Sequence, residues 1–268
     1  MSAVQPDTSL ALRVQSGAVL ILVTLTALWF GAPTFNAYAA ILAGLMLYEG
    51  ATVAKLDAAV QRLLWSGAAP LLVVIGLLLE DRTMMQLVCL TTFFLAFVLY
   101  KRSSLWAAGI FAVPMVALLS AVYVYEVLGA AGMLTGLVII WAADTAAYLT
   151  GRRYGKRPLW PSVSPKKTWE GLYGGLVAAI LASAAARYFQ VDDFSLNDWG
   201  AAIGLGLGIA ALATLSDLAE SAFKRRFNVK DSSNFIPGHG GFLDRLDSTL
   251  LPLPLAAVGL MVLEAWYQ

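Results

Sequence analysis

The sequence predicts an all-α, polytopic transmembrane helical protein of about nine spans with a cytosolic N-terminus. Two observations carry the class. Only 13% of residues are charged and 59% are hydrophobic, with a mean hydropathy of +0.73, where soluble domains carry about 25% charged residues. The apolar residues also come in runs close to the ~20 needed to cross a bilayer. A third observation sets the orientation. Sixteen of the 18 Lys and Arg fall in alternate loops on one side, leaving only Arg82 and Arg187 on the other. By the positive-inside rule that side is cytosolic, and an odd number of spans puts the C-terminus outside.

The spans are expected at 16–32, 34–50, 63–80, 84–100, 105–125, 130–150, 170–189, 199–222 and 248–266. The third opens with Arg62 and is interrupted by Gly67 and Pro70. Lys101 and Arg102 close the fourth, and Arg152 and Arg153 close the sixth. The organisation expected is an N-terminal region, 1–129 (spans one to five), and a region 130–268 with cytosolic loops at 151–169 and 223–247. Met1 to Ser16 is mostly polar and has no cleavable-leader pattern. The lone Cys89 excludes an internal disulfide framework and a cysteine-rich zinc site, and reads as an apolar filler. There is no internal repeat.

Two spans carry an aspartate near their cytosolic ends. Asp144 lies seven residues before Gly151 and Asp217 seven before Lys224, so each sits about 10 Å inside its helix end, at a shared depth. Asp244 and Asp247 are expected one turn apart, opening the ninth span on a single face. Glu220, Ser221 and Lys224 continue the Asp217 face. Carboxylates converging at low dielectric repel one another unless a cation joins them, and oxygen-only ligands select magnesium, manganese or calcium over zinc. Blander roles compete. Asp247 could cap the ninth helix, Asp144 could relay a proton or form an ion pair, Asp217 could pair with Lys224, and Asp244 beside Arg245 could be an interfacial pair.

Between the basic run Lys224-Arg225-Arg226 and the ninth span lies Pro237-Gly238-His239-Gly240-Gly241. It reads as a turn, or as a backbone nest for phosphate with the dipole of the next helix behind it. His239, the only histidine, suits a phosphate hydrogen bond better than a metal. In the other large loop, Ser164 or Thr168 is placed to cap the seventh span, Glu170 falls in its first turn, and Lys166 and Lys167 sit where an anion would lie. Trp160 and Trp169 read as interface anchors. No GxxxxGK[ST] loop is present.

Ser221 to Asp247, SAFKRRFNVKDSSNFIPGHGGFLDRLD, resembles the signature of the phosphatidate cytidylyltransferases, also called CDP-diacylglycerol synthases. The likeness rests on Ser221, Lys224, Arg225, Lys230, Asp231, His239, Gly240, Gly241, Asp244, Arg245 and Asp247. WAADTAAYLTGRRYGK and SPKKTWEG resemble upstream blocks of that family. The resemblance covers about 130–250. It implies an integral membrane enzyme that joins CTP to phosphatidic acid, giving CDP-diacylglycerol and pyrophosphate in phospholipid biosynthesis. Its metal-binding and catalytic positions map onto Asp144, Asp217, Asp244 and Asp247. Substrate contacts map onto Lys166, Lys167, Ser221, Lys224, Arg225, Lys230, His239, Gly240, Gly241 and Arg245. The resemblance implies Mg2+, with K+ as a candidate second cation, and a cytoplasmic (inner) membrane location with the site facing the cytosol. Nucleic acid is not an expected partner, and the oligomeric state is open, a homodimer included. A CTP-dependent lipid kinase of the polyprenol or phytol type is the alternative. A transporter would not need PGHGG and DRLD together, and the DGxxAR pattern of CDP-alcohol phosphotransferases is absent.

Overall fold

The computed structural model describes residues 8–55, 66, 67, 71, 74, 104–189, 198–236 and 240–267. The expected span at 84–100, all but four residues of the one at 63–80, Cys89, and Pro237, Gly238 and His239 lie outside the described residues. The chain divides into two compact units: Met1–Met115 with Val229–Leu246, and Val116–Asn228 with Asp247–Gln268.

In the first unit, α1 (Thr8–Trp29) and α2 (Ala32–Val53) form a helical hairpin. Pro33 starts α2, where its missing N–H costs nothing. Thr24 of α1 and Tyr38 of α2 share a 2.7 Å hydrogen bond across the pair. A buried hydroxyl and a half-buried one thereby satisfy each other.

α3 runs from Ser104 to Tyr154 and breaks at Gly129, whose φ of 66° and ψ of −171° lie outside the helical region. Only glycine adopts that conformation without strain. The two arms correspond to the expected spans at 105–125 and 130–150. The loop after α3 holds a feature the sequence did not suggest. β1 (Pro158–Trp160) pairs antiparallel with β2 (Ser164–Thr168), and among the described residues this hairpin is the only strand pair. β2 runs directly into α4 (Trp169–Tyr188).

Of the two candidate caps, Thr168 is the one used: its Oγ1 accepts from Gly171 N at 3.1 Å. Glu170 in the first turn of α4 accepts from the amides of Lys156 and Arg157 and from the Arg157 guanidinium. It ties the hairpin base to the helix start. Thr168→Ala should cost about 1 kcal/mol, the usual worth of an N-cap, measured as a lowered midpoint of thermal unfolding in detergent. An unchanged midpoint would mean that the hairpin, not the cap, holds this helix end.

α4 packs along α5 (Trp199–Arg226) through small residues. Ala179 and Ala210 are buried in one cluster with Ile139 and Ala143 of α3. A side chain at Gly206 would meet the Ala179 carbonyl and Ser183 Oγ, and one at Gly171 would meet the Ala147 carbonyl. Ser183 donates to the Ala202 carbonyl at 2.8 Å. Close backbone approach plus hydroxyl hydrogen bonds is how helices associate in lipid, where apolar burial supplies no drive.

The ninth span is entered differently from the expectation. α6 (Leu243–Leu246) stops short, Asp247–Thr249 forms a 3₁₀ turn, and α7 begins at Pro252 and runs to Tyr267. Asp244 and Asp247 therefore do not open one continuous helix. Pro252 disfavours helical backbone at Leu251, which forces the break. Among the described residues, Ala112–Tyr154, Trp169–Tyr188, Trp199–Arg226 and Leu243–Trp266 are long and apolar enough to cross a membrane. Gln15–Trp29 is a shorter apolar helix.

Candidate functional site

The last three turns of α5 carry the site in the second unit. Asp217, Glu220, Ser221 and Lys224 repeat at helical spacing and so share a face. Ser221 Oγ donates to Asp217 Oδ1 at 3.4 Å. The ion pairs differ from the pairing weighed for Asp217. Lys167, delivered by β2, takes Asp217, and Lys224 pairs with Glu220 at 2.7 Å. Geometry explains the exchange. Glu220 lies four residues before Lys224, the favoured order on a helix, and the hairpin brings Lys167 to Asp217. The Glu220 side chain is 3% exposed, a burial that a carboxylate tolerates only with a compensating charge.

Asp247 joins this face through Ser216. The Ser216 hydroxyl donates to the Asp247 carbonyl and accepts from Leu251 N at 3.2 Å, clamping the 3₁₀ turn to α5. Carboxylate oxygens of Asp217, Glu220 and Asp247 lie within 4.8 Å of one another. Asp217, Glu220 and Asp144 of α3 all add to the negative field at Asp247, and Lys167 opposes it. The Asp247 carboxylate accepts from its neighbour Ser248 N at 2.8 Å. It does not cap the last long helix, which starts five residues later. Carboxylate oxygens alone, without His or Cys, fit a hard divalent cation and do not fit zinc. The flanking ammonium groups of Lys167 and Lys224 supply positive charge for anionic oxygens.

Asp244 has other neighbours. It belongs to the first unit, is buried, and accepts through Oδ2 from Ser232 N, Ser232 Oγ and Gly241 N at 2.8–2.9 Å. Beside it lies Glu49 of α2, which the sequence reading passed over. Glu49 is fully buried, accepts from Ser233 Oγ, Phe242 N and Leu243 N, and shares the one Ser232 hydroxyl hydrogen with Asp244. The amides of Gly241, Phe242 and Leu243 thus donate to the protein's own carboxylates. This part of the expected phosphate nest is a nest for Asp244 and Glu49. The glycines serve that packing. Gly240 has a φ of 86°, and a side chain there would meet Asp244 Oδ2. Ile236 N donates to the Gly240 carbonyl at 2.8 Å and closes the turn.

The remaining expected contacts lie at the surface of their own units or outside the described residues. Lys166, Lys230 and Arg245 are exposed, and His239 is outside the described residues. Arg225 is exposed and its Nε donates to the Val163 carbonyl of the hairpin turn at 3.3 Å. Arg152 donates to the Tyr148 hydroxyl at 3.1 Å, and Arg153 lies 5.6 Å from the centre of the Tyr154 ring. The structure adds Ser216, Ser232 and Glu49 to the residues named from sequence and brings Glu220, already placed on the Asp217 face, into the carboxylate cluster. Glu220 was visible by its spacing from Asp217, and Glu49 as an acid inside an apolar span. Ser216 carries no such signal.

This is a helical, apolar protein with an oxygen-only carboxylate cluster flanked by lysines. The chain belongs to the cytidylyltransferase family, whose model matches residues 11–263. It is similar to the phosphatidate cytidylyltransferase of Staphylococcus aureus (strain COL), 47% identical over 123 residues. It is also similar to those of Staphylococcus haemolyticus (strain JCSC1435) and Staphylococcus epidermidis (strain ATCC 12228 / FDA PCI 1200), both 44% identical over 123 residues. Each match covers 46% of this chain and 46% of the relative. The matched segment thus spans about half the length of these relatives.

Proposed function

We propose that the protein is a phosphatidate cytidylyltransferase, which transfers CMP from CTP to phosphatidic acid and releases pyrophosphate. The convergence of Asp217, Glu220 and Asp247 beside two lysines, in a chain of the cytidylyltransferase family, carries this reading. The nucleophile is a phosphate oxygen of the lipid. The second pKa of a phosphate monoester is about 6, so it is ionised at neutral pH. No general base is required, which suits a cluster without histidine. The difficulty is to bring two anions together. A magnesium ion held by Asp217, Glu220 and Asp247, when bound, would neutralise oxygens at the reacting phosphorus. Lys167 and Lys224 are placed to accept negative charge developing on the leaving pyrophosphate. Ser221 supplies a hydroxyl on the same face. Asp144 adds negative charge near Asp247. Lys166 and Arg225 would gather the triphosphate from the aqueous side, and Lys230, His239 and Arg245 are further substrate contacts that the family resemblance proposes. K+ remains a proposed second cation.

Isotope position tests the reaction. With phosphatidic acid, α-phosphate-labelled CTP should yield labelled lipid, and γ-labelled CTP should yield labelled pyrophosphate only. Label passing from the γ-phosphate into a lipid alcohol would instead make the protein a lipid kinase.

The nine-span topology, with the 151–169 and 223–247 loops in the cytosol of a cell bounded by an inner membrane, belongs to the same proposal. The asymmetry of Lys and Arg supports it. In a Cys89→Ser background, a cysteine at position 156 should resist impermeant maleimide in intact cells and react after permeabilisation. Labelling from outside would overturn both the orientation and the access of cytosolic CTP.

Lys224 and the Arg152/Arg153 pair should also separate in kinetics. Lys224→Gln should lower kcat/KM about 100-fold, as expected for losing one charge-stabilising donor. The double Arg→Gln variant at 152 and 153 should lose far less, since both guanidinium groups engage local tyrosines. A larger loss in the double variant, at equal membrane insertion, would move the phosphate contact to that loop.

A further inference from the structure

We infer that Glu49 is a positioning residue of the reaction proposed above, acting through Asp244, a metal-binding position that the family resemblance implies: its carboxylate on α2 sets the geometry of the 240–244 segment that carries Asp244. The inference starts from burial. Glu49 is 0% exposed within an apolar helix. A buried carboxylate is tolerated only when hydrogen bonds or charges replace its hydration. Its donors all come from one distant segment. Oε1 accepts from Phe242 N at 2.9 Å and Ser233 Oγ at 2.6 Å. Oε2 accepts from Leu243 N at 2.7 Å and lies 2.9 Å from Ser232 Oγ.

The Ser232 hydroxyl also lies 2.9 Å from Asp244 Oδ2. Glu49 and Asp244 are therefore bridged by one side chain, and both gather amides of the same turn. Gly241 is the counterpart of this arrangement. A side chain there would run into Ser232 Oγ and both Glu49 oxygens. The absence of a Cβ at 241 is thus explained by the approach of Glu49.

The donor pattern separates a positioning role from space filling. Each Glu49 oxygen faces one backbone N–H that cannot rotate away. In Glu49→Gln, either orientation of the amide sets its NH2 group against one of these N–H groups. Glu49→Asp is a methylene shorter but keeps two acceptors and the charge. If Glu49 merely fills space, Gln, the isostere, is the milder change. If it positions the turn, Asp is the milder change.

The test uses the full chain in detergent and reads hydrogen exchange alongside kinetics with phosphatidic acid, CTP and magnesium. In Glu49→Gln, exchange at Gly241 to Leu243 should rise about tenfold or more while α4 and α5 keep the parent protection. The value of kcat should fall about 100-fold with a much smaller change in KM for CTP, the signature of a misplaced group rather than lost binding. Glu49→Asp should lie between Gln and the parent in both readouts. Ser233→Ala, which removes one of these donors, should raise exchange at the same amides but less. The inference is overturned if Gln outperforms Asp, if exchange rises throughout α4 and α5, or if Gln matches the parent. Should the parent make no CDP-lipid, the proposed reaction fails and with it any catalytic role for Glu49. The exchange data would then still decide whether Glu49 holds the turn.

Discussion

Asp217→Asn and Asp247→Asn should each reduce CDP-lipid synthesis about 1,000-fold or more, at the upper end for removal of one charge-stabilising group, while the protein still inserts and elutes as a folded species. Both carboxylates belong to the cluster whose oxygens lie within 4.8 Å of one another. Asparagine keeps the shape but removes the charge and one oxygen. At Asp217 the change leaves Lys167 without its partner, and both side chains remain partly solvated, so the fold should survive. At Asp247 the tie to Ser216 runs through the backbone carbonyl, which asparagine retains. The side-chain bond to Ser248 N can also be kept by the amide oxygen. A helix-capping role would have made Asp247→Asn mild, but α7 begins at Pro252. Near-parental turnover by either folded variant at limiting magnesium would remove that residue from the cluster.

Gly241→Ala should be strongly damaging. The added carbon would meet Ser232 Oγ and both oxygens of Glu49, and Glu49 is pinned by Ser233 Oγ, Phe242 N and Leu243 N and fully buried. Overpacking of this kind costs about 1–3 kcal/mol. Activity should fall further than stability, because the Gly241 amide is one of the donors that hold Asp244. Gly208→Ala in α5, where nothing lies within 4 Å of the new carbon, is the control and should leave stability and turnover unchanged. Equal effects at 208 and 241 would dissolve the argument that the glycine turn is packed against carboxylates.

The long helices of the second unit were legible because charges close the apolar runs: Arg152 and Arg153 in the last turn of α3, Lys224 to Arg226 in the last turn of α5. The break at Gly129 was legible as a gap between two runs. The hairpin at 158–168 was not, since Pro158, Pro161 and Pro165 disrupt any alternation and its role is to deliver Lys167, which only the fold reveals. The entry to the last span was read as one helix because Pro252 lies beyond the acidic residues, although its effect reaches back to Leu251. Glu220 was seen on the correct face but left out of the metal set, since its closeness to Asp247 depends on the Ser216 clamp. Glu49 stood out locally as an acid in an apolar run, but its role did not. Its partners lie 183 to 194 residues away, and no local pattern encodes that.

The central claim is that a carboxylate cluster on a membrane helix end, charged with magnesium, transfers CMP to a lipid phosphate. Its most direct test is the stoichiometry of one reaction: purified full-length protein, phosphatidic acid and CTP, with magnesium present or chelated, measuring CDP-lipid and pyrophosphate together. The account predicts equal amounts of the two products, none after chelation, and recovery when magnesium is restored. Product formation that persists in the chelator, or pyrophosphate released without CDP-lipid, would contradict it.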